Sequence, residues 1–263
     1  MLNKGLATPV SLSFLIFSFT IITVATYYVA MSSVSIRSSR LSYAVAKQDM
    51  LALENAIRSV SWSSGSSMVK EFQGHGGEFE TKPNDRRLII NISLGSTSEI
   101  VFNSTIGYVR YELPAADRGE VGWYLQGDAE PIVNQSFLDT AQMYIRVDNG
   151  SQEIYLGYRP LAISFLDSSQ SSQVNVVRIF IINLNSSESV LFTGGFRLRI
   201  QCLNITSQTR SYNITDSLSS ATVRVTVDGD AGTVLLPLSS GGSFTLVRLE
   251  ILVCNVKLEE VNL

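Results

Sequence analysis

Val10-Ser-Leu-Ser-Phe-Leu-Ile-Phe-Ser-Phe-Thr-Ile-Ile-Thr-Val-Ala-Thr-Tyr-Tyr-Val-Ala-Met31 is the stretch whose reading decides the architecture. It lies inside a longer run, Gly5 to Ile36, that holds no charged residue. A bilayer core about 30 Å thick needs about 20 apolar helical residues, so this run is long enough to span one. A cleaved secretory signal has an apolar region of only about 7–15 residues, and Ala25 and Ala30 form no convincing A-x-A site. The reading is a retained membrane-spanning helix. Ser11, Ser13, Ser18, Thr20, Thr23 and Thr26 recur among its large apolar residues. Small hydroxyl side chains either let neighbouring helices approach and bond or bond back to their own backbone.

The helical signal continues past Ile36. Tyr43, Ala46, Met50, Leu53, Ile57 and Val60 recur at alternating three- and four-residue spacings, an apolar stripe on one helix face. Lys47, Asp49, Glu54 and Arg58 fall off that stripe. Ser63-Ser64-Gly65-Ser66-Ser67 is the expected stop, with Gly65 suited to a left-handed C-terminal cap. One helix over residues 6–65 follows, apolar all round in its first half and striped in its second. The stripe requires a domain or another helix to cover it.

Composition narrows the class. The chain has 263 residues and 28.8 kDa, a net charge of -3, a pI near 5.3 and a mean hydropathy of +0.18. A broad nucleic-acid surface needs a basic excess, which is absent. Charged residues are 16%, against about 25% in an ordinary soluble domain. A single His rules out a multi-His metal site and most imidazole catalysis. These counts argue against a soluble enzyme.

The N-terminus carries Asn3-Lys4-Gly5, then Leu6-Ala7-Thr8-Pro9-Val10, then the long apolar run. On these residues the chain resembles the archaeal type IV pilin family. The resemblance covers about residues 1–65. It implies that a prepilin peptidase cuts between Gly5 and Leu6, after Lys4-Gly5, leaving residues 1–5 as the leader. It also implies that the mature helix self-associates into a filament core after a membrane-inserted precursor stage. Pro9 then stands in the first turn of the mature helix, where its missing N–H costs little. Val10 occupies the fifth mature position, where bacterial type IV pilins place a Glu, and this departure favours the archaeal branch. The flanking charge gives no direction across a membrane, since Lys4 and the free amine face Arg37 and Arg40 across the run.

Residues 66–80, containing Gln73-Gly-His-Gly-Gly77, are expected as a connector. From there to residue 263 the pattern turns to short β-rich runs: Arg86–Leu94, Glu99–Leu113, Gln142–Val147, Glu153–Tyr158, Asn175–Asn183, Gly195–Asn204, Ala221–Val227 and Phe244–Leu258. Phe196 to Cys202 alternates apolar and polar residues, as a half-buried strand does. Asp148-Asn149-Gly150 and Asp228-Gly229 carry hairpin-turn chemistry. The fold class is therefore α+β: a long hydrophobic-to-amphipathic N-terminal helix followed by a β-sandwich-like head over 81–263.

Seven Asn stand in N-x-S/T sequons, more than chance supplies: Asn91, Asn103, Asn134, Asn149, Asn185, Asn204 and Asn213. None lies in the helix, and acceptor sequons mark the surface of exported domains. Cys202 and Cys254 are the only cysteines, each on the apolar parity of its strand. They are a candidate disulfide in an exported head, or two buried thiols acting as small apolar residues.

No catalytic elbow, phosphate loop or Cys-x-x-Cys occurs. His75 between glycines reads as a solvated loop residue. Asp228-Gly-Asp230 supplies too few oxygens for Ca²⁺. Trp62, Trp123 and the tyrosines read first as core packing, with a sugar-binding face as the other use. No cofactor, metal or nucleic-acid partner is expected. The leading expectation is a structural pilin-like subunit of a cell-envelope filament. The alternative is a single-pass anchored β domain that binds glycan or a protein partner without polymerising.

Overall fold

The computed structural model describes residues 7–74, 76–113, 122–134, 136–148, 151–167, 174–215, 218–239 and 245–261. One unbroken helix, α1 (Ala7–Val60), runs 54 residues, about 80 Å at 1.5 Å per residue. It ends sooner than its Ser-Gly-Ser tail suggests. Ser61 donates its backbone N–H and its hydroxyl to Ile57 O, and Trp62 takes a left-handed φ of 66°. Gly65 is also left-handed, one turn later, where its N–H reaches Cys202 O. The cap thus falls on a tryptophan, and the glycine shapes the turn that follows.

The strands are β1 (Ser67–Phe72), β2 (Glu78–Leu94), β3 (Thr97–Glu112), β4 (Tyr124–Gln126), β5 (Ala141–Asp148), β6 (Ser151–Tyr158) and β7 (Leu161–Asp167). They continue as β8 (Val174–Asn183), β9 (Leu191–Phe192), β10 (Phe196–Ile214), β11 (Ser220–Val227), β12 (Asp230–Pro237) and β13 (Thr245–Glu260). A 3₁₀ turn, Phe137–Thr140, precedes β5. Every sequence-expected strand is present, so the molecule is α+β with a mostly β head. The segment 66–80, expected as a connector, instead carries β1 and the start of β2. β10 continues beyond Asn204 to Ile214.

Two sheets form. The first has the order β1-β10-β13-β8-β7; the second runs β12-β11-β2-β3-β6-β5-β4, with β9 beside β2. All ladders are antiparallel except β13 with β8. The β11–β12 hairpin closes Val227 onto Asp230 through Asp228 and Gly229, at φ 51° and 102°. Positive φ at both central residues matches the twist of the flanking strands. Asp148 pairs with Ser151, while Asn149 and Gly150 lie outside the described residues.

Two apolar clusters fill the head. Leu88, Ile90 and Ile92 of β2 meet Val177 and Ile179 of β8, Val223 and Val225 of β11, and Leu249 and Ile251 of β13. At the other end the stripe of α1 takes part: Ala46, Met50, Leu53, Ile57 and Val60 join residues of both sheets, including Met143, Leu156, Ile200 and Val256. The expected stripe is thus covered by the head itself, and the helix end completes the core between the sheets.

Candidate functional site

The first half of α1 is the largest unpartnered feature. From Val10 to Ile36 its side chains are exposed, with Phe19 at 70% and Tyr28 at 75%. The helix from Val10 to Val60 holds a stretch of mean hydropathy 1.9 and is long and apolar enough to cross a membrane. Thr20, Thr23 and Thr26 donate their hydroxyls to Ile16, Phe19 and Ile22 carbonyls at 2.7–2.9 Å. Of the two uses open to these hydroxyls, the backbone takes them, which hides polar groups from an apolar medium. Lys4, Gly5 and Leu6 lie outside the described residues.

The sequons spread over the head. Asn103, Asn134, Asn204 and Asn213 are exposed, whereas Asn91 and Asn185 are half-buried and Asn149 lies outside the described residues. Asn103 accepts from Arg87 Nε at 3.0 Å, and Asn91 accepts from Ser98 Oγ at 2.9 Å. Cys202 and Cys254 are brought together, Sγ to Sγ 3.4 Å, as buried free thiols. Burial pushes the Cys254 thiol up to about 12.

Two sequence readings change. Glu54 falls off the apolar stripe, yet it is only 3% exposed. The head clasps the helix from more than one side, so the covered face is wider than the stripe. Trp123, read as core, is 62% exposed. His75 lies outside the described residues. Asp228, in the turn weighed for Ca²⁺, accepts from Arg86 Nε at 2.6 Å and from the Arg87 N–H at 2.9 Å. Among the described residues no three His, Cys, Asp or Glu cluster as metal ligands.

The outer face of the second sheet carries a tyrosine row across four strands. Tyr124 packs tilted against Tyr144, Tyr144 against Tyr155 and Tyr155 against Tyr108, with centroids 4.7–5.2 Å apart. Arg86 and Arg146 lie over these rings, and Tyr155 is 1% exposed. Arg110 and Arg146 hold the fully buried Glu153 carboxylate at 2.5 and 3.0 Å. Tyr155 and Tyr108 are buried and paired with the arginines, which stiffens the sheet, while Tyr124 at the end of the row is exposed.

The helix end also helps to form a cavity of about 360 Å³, lined by Glu54, Arg58, Trp62, Phe137, Thr140, Tyr158, Phe180 and Ile182. Its walls are aromatic: Trp62 meets Phe180 edge-on at 5.2 Å, and Phe137 meets Phe180 at 4.6 Å. The left-handed turn at Trp62 aims the indole here, and the Trp62 backbone N–H donates to Cys254 Sγ at 3.4 Å. The Tyr158 hydroxyl is buried and has no hydrogen-bond partner among the described residues. The carboxyl of Glu54 is held above the usual carboxylate range by burial, a shift that Arg58 and a hydrogen bond from Gln126 only partly offset.

A raised folded-state pKa means the native state holds the proton more tightly than the unfolded chain. The resulting stability is fully present below the unfolded value and is lost as pH rises through the folded one. Glu54→Gln is therefore expected to stabilise the chain at neutral pH. It should also remove one component of the decline above pH 4.5, the ordinary value for this group. Urea unfolding of both proteins between pH 4 and 8 checks this, and a constant difference across that range would refute it.

No family model, curated protein or solved structure matches the chain.

Proposed function

We propose that the chain is a pilin-like structural subunit of a cell-surface filament, assembled through α1. A single observation supports this best: one continuous helix joins a bare apolar half to a half built into the core of a head. An apolar cylinder about 40 Å long, from Val10 to Ile36, is insoluble alone and must lie among lipid tails or other apolar helices. The same rod satisfies both conditions in turn, first as a bilayer span and then as one helix among copies. No hinge is needed between the two states, since the helix continues into the head without a break. The β head carries the sequons and faces the medium.

The resemblance at Lys4-Gly5-Leu6 supplies the step between the states, a cut by a prepilin peptidase that frees the helix end. In this reading the protein does no chemistry itself. Its envelope location follows from the same helix, which resides in the membrane before assembly and in the filament afterwards.

The test is the N-terminal sequence of the protein purified from its native envelope. A mature chain beginning at Leu6 is expected. An intact start at Met1 would overturn the reading and leave an anchored β domain that binds without polymerising.

A further inference from the structure

We infer that the cavity at the helix–head junction is a binding site for a small alkylammonium ion, its nitrogen between the Glu54 carboxylate and the Tyr158 hydroxyl, its apolar body against Trp62, Phe137 and Phe180. The proposal does not depend on filament assembly.

Three observations converge on that chemistry. First, the Tyr158 side chain is 8% exposed, lines the cavity, and its hydroxyl is unpartnered among the described residues. A buried polar atom left in that state favours an occupant able to bond it. Second, the buried anion is compensated by a hydrogen bond from Gln126 and only one long ion pair. Arg58 approaches Glu54 at 3.8 Å through one oxygen, its side chain is 38% exposed, and its guanidinium also donates to Asn55. Third, the remaining walls present rings, and a cation over an aromatic face gains where water is excluded.

Other occupants fit less well. An anion meets the Glu54 carboxylate. A neutral apolar molecule leaves the phenol and the carboxylate unserved. A hard metal ion needs six to eight oxygens, and the lining has one carboxylate and two hydroxyls. A lipid of the cell's own bilayer is out of reach, because Glu54 lies about 27 Å along the helix from Ile36. The volume, about 360 Å³, falls in the range of small-ligand pockets, about 300–1,000 Å³.

Benzylammonium is a suitable probe, titrated at pH 8 into the full chain in a neutral detergent. Trp123→Phe leaves Trp62 as the sole tryptophan, so its fluorescence reports the site. Saturable change is expected with a dissociation constant on the order of a millimolar, given so few ligand atoms. Glu54→Gln should weaken binding about tenfold, the loss of one charge-assisted bond. Tyr158→Phe should weaken it several-fold while leaving the fold intact, because the hydroxyl serves no protein partner. Arg58→Ala should tighten binding, since it removes the competing cation. Absence of saturation, equal binding of neutral benzyl alcohol, an indifferent Glu54→Gln variant, or weaker binding by Arg58→Ala would each overturn the assignment.

Discussion

Leu53→Ala is expected to cost about 3 kcal/mol of unfolding free energy, while Leu51→Ala, two residues away on the same helix, stays within about 0.5 kcal/mol. Leu53 is fully buried and Leu51 is 36% exposed. Both have the same propensity for the helix, so any difference belongs to tertiary packing. Leu53 sits in a cluster that draws on both sheets, with Phe79 and Leu156 from one and Leu198 and Leu258 from the other. Deleting its side chain leaves a void between sheets held apart by long ladders, which limits collapse and places the cost well into the usual Leu→Ala range of about 2–5 kcal/mol. Against a total of about 5–15 kcal/mol for a typical domain, that is a large fraction. Urea unfolding followed by near-ultraviolet signals of the head would show it as a lower midpoint at constant slope. Equal effects from the two variants would mean that α1 is merely tethered to the head.

The same helix shows what was legible in the sequence and what was not. Its apolar run and its stripe could be read because each carries its own period. The strands expected from sequence were those with alternation or β-branched density. The strands that went unread lack both. β1 is exposed at Ser67, Met68, Val69 and Glu71 and buried only at Phe72, and it flanks the helix turn, so no period-2 signal marks it. β12 holds Gly232 and ends at Pro237 on a sheet edge. β10 beyond Asn204 is Ile-Thr-Ser-Gln-Thr-Arg-Ser-Tyr-Asn-Ile, almost all exposed, and is held as a strand by pairing with β13 rather than by burial. The cavity was illegible for a different reason. Glu54, Phe137, Tyr158 and Phe180 come from α1, the 3₁₀ turn, β6 and β8. No local pattern links them, and a Glu off an apolar stripe reads as solvated until the head is seen to wrap it.

Oxidation of the Cys202–Cys254 pair is expected to stabilise the head by about 4 kcal/mol, raising the melting temperature by about 10 °C. Both side chains lie on the apolar parity of their strands and are buried, and the fold adds the contact. β10 and β13 are neighbours, and a register shift between Cys202 and Asn204 sets Cys202 opposite Val256 and Ile205 opposite Cys254. The sulfurs then lie 3.4 Å apart. A bridge closes the chain from residue 202 to 254, and the entropy removed from an unfolded loop of that length accounts for about 4 kcal/mol. The reaction needs a thiolate, and burial pushes Cys254 up to about 12, so oxidation of the folded protein should be slow at neutral pH and faster under alkaline conditions. Alkylation after denaturation should count two thiols before treatment with diamide and none after. A double Cys202→Ser, Cys254→Ser variant should melt at the same temperature with and without the oxidant. If the bridge forms and the melting temperature does not rise, native-state strain cancels the entropic gain. The pair would then act in the head as two packed thiols rather than as a staple.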